Sequence, residues 1–400
     1  MLILSPERIQ ELNKHFETTF GYMPERYFSA PGRTEISGNH TDHQRGWVLA
    51  AAVNLDMQAA VRLNGTSQIR VLSKGYPMHV VDLGELTPRE EEINTTAALI
   101  RGVAARFVQL GCQVGGFDAY IESTVLPGSG LSSSAAFEVL MGTIINCLFF
   151  DGKASQPEIA MIGQYAENVF FGKPSGLMDQ MASAVGGMVT IDFADKENPV
   201  IQRVDFDFSA CGYALCIIDS RASHADLTDE YAAITSELKS ICAHFGKEVL
   251  REIPEEDFFA EIPQLRKKCG DRAVLRAVHF YQENARVPKQ VAALQAGDFD
   301  RFLELEKQSG YCSYMYLQNV IPTGCVSHQD MAIALALCEK YLQGAGAYRV
   351  HGGGFAGTVQ AFVPFALLDT FRRGIDSVLG DGACHVLSIR QDGGVEVKLE

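Results

Sequence analysis

The sequence predicts a soluble α+β protein of two domains, and three observations lead to that class. Four hundred residues exceed the size of one ordinary hydrophobic core. Segments with the alternating pattern of strands are separated by groups of helix-like segments, an order typical of α+β proteins. Apolar residues make up 47% of the chain, yet the longest apolar runs are shorter than a membrane span requires.

The first half of the chain reads as a helix followed mainly by strands. Ile9, Leu12 and Phe16 recur at helical spacing near the N-terminus. Strands are predicted at RYFSAPGR, WVLAAAVNLDMQAAVRL, IRVLS and GFDAYIESTV, with the helix INTTAALIRGVAARFVQLG before the last of them. Asn94 or Thr95 is positioned to cap that helix. An apolar helix follows the sequence VLPGSG, then helices at 155–170 and 175–185 and a strand at GMVTIDF.

The second half opens with the strand YALCIIDS and becomes mostly helical from Thr228 to about Leu342. The stretch AYRVHGGGFAGTVQAFVP then predicts a strand, a glycine turn and a second strand. A helix at 366–378 and two short strands complete the chain. The polar region 194–210 is the expected domain boundary, which gives domains of residues 1–200 and 201–400.

Composition excludes several classes of function. The net charge is −15 and clusters of Lys and Arg are missing, which argues against a nucleic-acid partner. Ten scattered cysteines without a CxxC pair indicate reduced thiols and not a disulfide framework or zinc cluster. The N-terminus lacks the pattern of a signal peptide, so we expect a cytoplasmic protein without a membrane partner. The sequence does not determine the oligomeric state, and a monomer is our working expectation.

Polar groups are concentrated in PGRTEISGNHTDH, residues 31–43, which we call the signature segment. It holds Arg33, Asn39, His40 and Asp42 directly before the apolar run GWVLAAAV. A turn stabilised by its own Asn and Asp side chains would explain some of these residues but not the arginine.

A second polar stretch is PGSGLSSS, residues 127–134, which we call the serine loop. Glycines allow a tight approach to a ligand, and serines at a helix start offer hydroxyls and free N–H groups to phosphate. One serine would be enough for an ordinary helix cap, which is the alternative. No GxxxxGK[ST] motif occurs, so a nucleotide would be bound without the usual lysine.

Two further stretches are ambiguous alone. HGGGFAGTVQAFV contains GxGxxG, but a strand-like segment follows it where a dinucleotide fingerprint needs a helix. We therefore predict a glycine turn, residues 352–357, that is either a plain hairpin or lies close to a ligand. In AENVFFGKPSGLMDQ, Glu167 and Asp179 are carboxylates in an apolar neighbourhood, either functional or exposed on an amphipathic helix.

Taken together, the four stretches resemble the galactokinase branch of the GHMP small-molecule kinases. The signature segment is similar to the form GRVNLIGEHTDYNGGFVLP, and PGSGLSSSAAFEV is similar to the family's phosphate loop. ENVFFGKPSGLMDQ and VHGGGFAGTVQAFV resemble its E…GIMDQ and TGAGFGG elements, in the same order. The resemblance implies an N-terminal ribosomal protein S5 domain 2-like α+β domain and a C-terminal ferredoxin-like α+β domain. The active site would lie in the cleft between them.

The resemblance also implies a function and a set of site residues. The activity would be ATP- and Mg2+-dependent phosphorylation of the anomeric hydroxyl of galactose, with Asp179 as catalytic base and Arg33 beside it. Sugar-binding residues would be Arg33, Asn39, His40, Asp42, Asp179 and Tyr231. The ATP phosphates would bind Pro127, Gly128, Ser129, Gly130, Leu131, Ser132, Ser133 and Ser134, with Mg2+ held by Ser134 and Glu167.

The sequence departs from the family pattern at the sugar end. Asn39 stands where the family carries Glu, and His43 stands where it carries Tyr. Ser223 also lies where Arg is common. Galactose is therefore the expected acceptor, with another hexose, a hexosamine or an N-acetylhexosamine as alternatives. A sensor that binds sugar and ATP without catalysis is a further alternative, although the complete GLSSSAA and MDQ sequences argue against it.

Overall fold

A computed structural model describes residues 5–125, 130–173, 175–195, 197–222 and 227–398, and these form a mixed α+β structure. Its strands are Arg26–Ser37 (β1), Trp47–Leu63 (β2), Gln68–Ser73 (β3), His79–Asp82 (β4), Phe117–Ser123 (β5), Met188–Asp192 (β6), Val200–Arg203 (β7), Tyr213–Asp219 (β8), Ala347–His351 (β9), Thr358–Pro364 (β10), Cys384–Leu387 (β11) and Val395–Val397 (β12). Its helices are Pro6–Phe20 (α1), Thr96–Gln109 (α2), Ser133–Phe149 (α3), Gln156–Ala166 (α4), Met178–Val185 (α5), Thr228–His244 (α6), Glu255–Cys269 (α7), Asp271–Gln295 (α8), Phe299–Cys312 (α9), Asp330–Leu342 (α10) and Phe365–Leu379 (α11).

The first sheet follows the order β12-β1-β2-β5-β3-β4, with β6 and β7 joined through β2. Its pairings are antiparallel except for β3 with β5. The pairing of β1 with β2 shifts register between Pro31 and Arg33, and again between Glu35 and Ser37. Such bulges redirect side chains next to functional sites. They interrupt β1 within the signature segment.

Helices α2 to α5 cover one face of this sheet, around a core that includes Phe28, Val48 and Ile144. Local sequence explains where several of them begin. The side chain of Thr95 accepts a hydrogen bond from the N–H of Ala98 and caps α2, as one of the two predicted caps. Helix α3 is apolar on most of its surface because other helices and the sheet surround it.

The second sheet is antiparallel throughout, in the order β11-β8-β10-β9. Along β8, Cys216 and Ile218 pack against α10 and α11, whereas Leu215 and Ile217 face a different core. That core also contains Leu49 of β2, together with residues of α8 and α9. The two sheets therefore share one hydrophobic core.

The structure confirms most predicted elements, including β2 over the whole predicted segment and the strand-turn-strand around the glycine turn. Two predicted helices are shorter than expected. The helix predicted for 155–170 ends at Ala166 and continues as a π-helical turn, Glu167–Phe171, and the next helix begins at Met178. Strand β12, at the end of the chain, pairs with β1 in the first sheet. The predicted domain boundary at residue 200 stays a prediction. In the part of the chain that the structure describes, no helix is long and apolar enough to cross a membrane.

Candidate active site

Arg33 connects three separate segments of the chain. It lies on β1 between the two register shifts and is almost fully buried. Its Nε and Nη2 atoms donate to Oδ1 and Oδ2 of Asp179 at 2.7 and 2.8 Å, a bidentate pair. Its Nη1 atom donates to the carbonyl oxygen of Gly130 in the serine loop. The guanidinium therefore holds the serine loop and Asp179 together.

Asp179 lies in the first turn of α5, where the free N–H groups of a helix favour negative charge. Ser132 donates its hydroxyl to Oδ2 at 2.7 Å. Burial of the carboxyl favours its neutral form, but the charge and hydrogen bonds of Arg33 outweigh burial and lower the pKa of Asp179. The side chain keeps 32% of its surface exposed. Asp179 is thus an ionised carboxylate that is fixed in position and still accessible.

The described part of the serine loop, residues 130–134, packs against both sheets. The N–H of Arg33 donates to the carbonyl of Leu131 at 3.0 Å. Gly130 has a positive φ of 69°, and a Cβ there would meet the side chains of Thr358 and His351 at 3.0 and 3.1 Å. Only glycine fits at this contact without displacing them. The loop consequently lies between β1 and the start of the glycine turn.

Ser132 occupies the N-cap position of α3 but does not cap the helix with its side chain. Its φ of 55° is left-handed, and its hydroxyl is directed to Asp179 instead. Ser133 and Ser134 then begin α3, whose first N–H groups have no partner within the helix. Pro127, Gly128 and Ser129, which the sequence also placed at the phosphates, lie outside the described residues.

Glu167 provides a buried carboxylate next to Ser134. It begins the π-helical turn, a feature often found at functional sites. The Ser134 hydroxyl lies 3.4 Å from its Oε1, and the Lys173 ammonium lies 3.0 Å from the same oxygen. Gln180 donates to Glu167 and to Glu138 behind it, each at 2.9 Å. Burial, with the charge of Glu167, raises the pKa of Glu138 well above its usual range.

The oxygens of Ser134 and Glu167 fit a magnesium ion that also binds nucleotide phosphates. Mg2+ in such sites takes one or two protein oxygens and completes its coordination with water and phosphate. Among the described residues no group of three or more His, Cys, Asp or Glu side chains could hold a metal alone.

Asp42 lies near Asp179, in a short 3-10 turn of the signature segment. It packs against Gly176, where any side chain would overlap the carboxylate. Burial, followed by the charge of Asp179, raises the pKa of Asp42 to about 6. Among the described residues its carboxylate has no side-chain partner within hydrogen-bonding distance. It is an acceptor with unused capacity near Asp179.

The two histidines beside Asp42 are neutral. Burial lowers the pKa of His40, and burial with the nearby His40 and His279 rings lowers that of His43 to about 3. The Nε2 atom of His40 lies 3.0 Å from the carbonyl oxygen of Gly353. This contact joins the signature segment to the glycine turn.

Tyr231 and Asn39 also contact the glycine turn. The Tyr231 hydroxyl donates to the carbonyl of Gly354 at 2.8 Å, and its ring leaves no room for a side chain at Gly353. The Asn39 amide donates to the carbonyl of Gly352 at 2.6 Å and is completely buried. The structure thus collects the described signature residues around one turn and beside Asp179.

Four contacts of this region were not predicted from the sequence. They are the Ser132–Asp179 hydrogen bond, the Lys173–Glu167 ion pair and the contacts of His351 with Thr34 and Thr358. Ser132 and Asp179 are 47 positions apart, so no local pattern could reveal their contact. In the sequence, the position of His351 directly before three glycines was the one feature that could have marked it as part of the site.

Comparison with known protein families agrees with this geometry. The model of the GHMP kinases N terminal domain matches residues 98–187, which include the serine loop and Asp179. The model of the galactokinase galactose-binding signature matches residues 14–63, which include the signature segment.

Curated relatives and solved structures extend the similarity to nearly the whole chain. A galactokinase of Streptomyces coelicolor is 30% identical over 91% of both chains, and one of Glaesserella parasuis is 31% identical over 90% of both. The crystal structure of Lactococcus lactis galactokinase complexed with galactose covers 97% of this chain and 99% of its own, with a TM-score of 0.81 and 25% identity. A mevalonate kinase of L. major at 14% identity and a TM-score of 0.61 shares the fold. The chain therefore belongs to the galactokinase family of the GHMP kinases.

Proposed function

We propose that the chain transfers the terminal phosphoryl group of ATP to the anomeric hydroxyl of galactose. The products are galactose 1-phosphate and ADP. The contact of Asp179 with Arg33 and Ser132 carries the proposal, because it joins an ionised, accessible carboxylate to the serine loop. The choice of galactose rests on the relatives, which are galactokinases, and on the galactose-binding signature.

Asp179 is the proposed base. Its carboxylate accepts the proton of the sugar hydroxyl while the hydroxyl oxygen bonds to the terminal phosphorus and the bond to the ADP oxygen breaks. The lowered pKa makes Asp179 a weak base, so the proton moves late, when the hydroxyl oxygen has already become acidic. Such timing suits phosphoryl transfer, whose transition state involves little early bonding to the nucleophile.

Arg33 has two proposed roles. It keeps Asp179 ionised and oriented through two hydrogen bonds, and its positive charge lies next to the serine loop. Fixed positive charge near the transferred group stabilises the transition state because it needs no reorganisation during the reaction. The proposed phosphate site consists of residues 127–134 and the N-terminus of α3.

Mg2+ is the proposed metal, held by Ser134 and Glu167. The metal would neutralise charge on the ATP phosphates. Gln180 supports Glu167 by donating to its second oxygen, so the carboxylate keeps one oxygen for the metal. Lys173 currently contacts that oxygen and adds positive charge at the same place.

The sugar is proposed to contact His40, Asp42 and Tyr231 in addition to Arg33 and Asp179. An ionised carboxylate such as Asp42 accepts hydrogen bonds from two hydroxyls at once. A sugar that lacks one of these hydroxyls would leave a buried acceptor unpaired, which disfavours its binding. Asn39 belonged to the same predicted group, and its contacts are considered in the next subsection.

Phosphorylation of another hexose, a hexosamine or an N-acetylhexosamine is a second candidate function. The observation that favours it is Asn39, an amide at a position where the family carries a carboxylate. The reaction chemistry would be the same, and only the acceptor would differ.

A panel assay tests both candidates. The protein is incubated with ATP, Mg2+ and single monosaccharides, including galactose, glucose, galactosamine and N-acetylgalactosamine, and ADP release is measured. We expect the highest kcat/KM with galactose. A higher value with another sugar would support the second candidate. Saturable sugar binding without ADP release from any sugar would contradict both and indicate a sensor.

A further inference from the structure

Asn39 has no hydrogen-bonding capacity left for a ligand. Its Nδ2 atom donates to Oε1 of Glu35 at 3.0 Å and to the carbonyl of Gly352 at 2.6 Å. Its Oδ1 atom accepts from Asn319 at 3.0 Å and from Ser313 at 3.4 Å. An amide side chain has two donors and an acceptor oxygen with two lone pairs. All four are used inside the protein.

Glu35 is held by the same network through one of its carboxylate oxygens. The same Oε1 atom that accepts from Asn39 also accepts from Nη2 of Arg349 at 2.9 Å. Arg349 is completely buried, and its Nε donates to Glu306 at 2.8 Å. Glu35 therefore belongs to a layer of buried ion pairs with Arg349 and Glu306.

The Asn39–Glu35 hydrogen bond joins two positions at which this chain differs from the family form of the signature segment. In the form GRVNLIGEHTDY, Asn stands at the position of Glu35 and Glu at the position of Asn39. The amide and the carboxylate have thus exchanged places in this chain. Because the two side chains touch, one substitution compensates the other and the pair keeps a single negative charge.

We infer that Glu35 and Asn39 form an exchanged positioning pair that anchors the glycine turn, and that the Asn39 side chain does not bind the sugar. The inference rests on the proposed function, since it concerns the sugar pocket of that reaction. The pocket then lacks a carboxylate acceptor at residue 39. The enzyme should consequently tolerate the loss or modification of one sugar hydroxyl. A pocket with a carboxylate at residue 39 would require that hydroxyl for binding.

The pair predicts a specific pattern of stability. Asn39→Glu alone brings two buried carboxylates together, and both cannot ionise. Asn39→Asp tests the same repulsion without added volume. Each single change should lower the thermal unfolding midpoint by several degrees, whereas Glu35→Asn/Asn39→Glu should restore most of the loss. Asn146→Asp is the matched control, because Asn146 is a buried, doubly hydrogen-bonded amide outside the cleft.

Sugar analogues test the pocket directly. With the unaltered protein, we expect one monodeoxy galactose to keep kcat/KM within about threefold of galactose, while other positions cost about tenfold or more. In the double variant the tolerated analogue should lose about tenfold in kcat/KM, mainly through KM. Asn146→Asp should lower stability without changing the order of the analogues.

The two readouts separate this inference from the proposed function. If galactose is not phosphorylated, the proposed function fails, and the unfolding midpoints still decide whether the pair is coupled. Recovery of stability in the double variant supports the exchanged pair. An Asn39→Glu protein that is as stable as the parent, or a parent that rejects every deoxy analogue by more than about tenfold, would overturn the inference.

Discussion

Asp179→Asn is the substitution that tests the proposed chemistry most selectively. The amide has nearly the shape of the carboxylate but cannot accept the hydroxyl proton. General-base catalysis of this kind contributes about 10²–10⁴ in rate. We therefore expect kcat to fall by that factor, which corresponds to about 2.7–5.4 kcal/mol of transition-state stabilisation.

The structure also limits what else this substitution should change. Arg33 would lose its ionised partner but would keep the hydrogen bond to the carbonyl of Gly130. Because the Asp179 side chain is 32% exposed, the lost pair should cost about 1–3 kcal/mol of folding free energy. That is less than the cost of breaking a fully buried pair. ATP affinity should stay nearly unchanged.

The assay measures kcat by ADP release, ATP affinity by calorimetry and stability by thermal unfolding. Asp271→Asn is the matched control, since Asp271 also lies in the first turn of a helix and pairs with both Nε and Nη2 of an arginine, Arg266, at 2.8 and 3.2 Å. The control should keep full activity. An Asp179→Asn protein with kcat within about threefold of the parent would refute the role of Asp179 as base.

Three further predictions follow from the same geometry. The kcat/KM for the sugar should fall as pH drops below about 6, because Asp42, with its pKa raised to about 6, loses the charge that accepts sugar hydroxyls. Asp42→Asn should remove this pH dependence, and a fall that persists in the variant would show that another group causes it. Asp179 is not that group, because its lowered pKa keeps it ionised in this pH range. Ser134→Ala and Glu167→Gln should each raise the Mg2+ concentration for half-maximal rate by about tenfold or more, and an unchanged requirement would exclude them as ligands. Arg33→Lys should lower kcat by about 10–100-fold, since lysine cannot form the two parallel hydrogen bonds, and unchanged kcat would show that charge alone suffices.

Periodicity and caps were enough to predict most of the fold. The mostly apolar sequence of Trp47–Leu63 predicted β2 over its whole length. Thr95 gave the start of α2 because an N-cap acts within its own helix turn. The π-helical turn at Glu167–Phe171 was missed, since an extra residue per turn leaves no clear periodic signal.

Motifs in the sequence named the candidate site residues, but they did not predict the contacts between those residues. Arg33, Ser134 and Asp179 were all named, but the contacts of Arg33 with Asp179 and of Ser134 with Glu167 depend on how distant segments pack. The sequence showed that Asn39 departs from the family form. It did not show that the neighbouring departure at Glu35 touches it, because that requires the turn of the backbone between them. The hydrogen bonds of Asn39 in the structure are the basis for the inference that it belongs to a buried pair and does not bind the sugar.

The most direct test of the central claim is the position of the new phosphate. Galactose labelled with an isotope at the anomeric carbon is incubated with the protein, ATP and Mg2+, and the product is examined by phosphorus NMR. We predict coupling between phosphorus and the labelled carbon, because Asp179 is proposed to face the anomeric hydroxyl beside the serine loop. Phosphate on any other oxygen of the sugar would contradict the account.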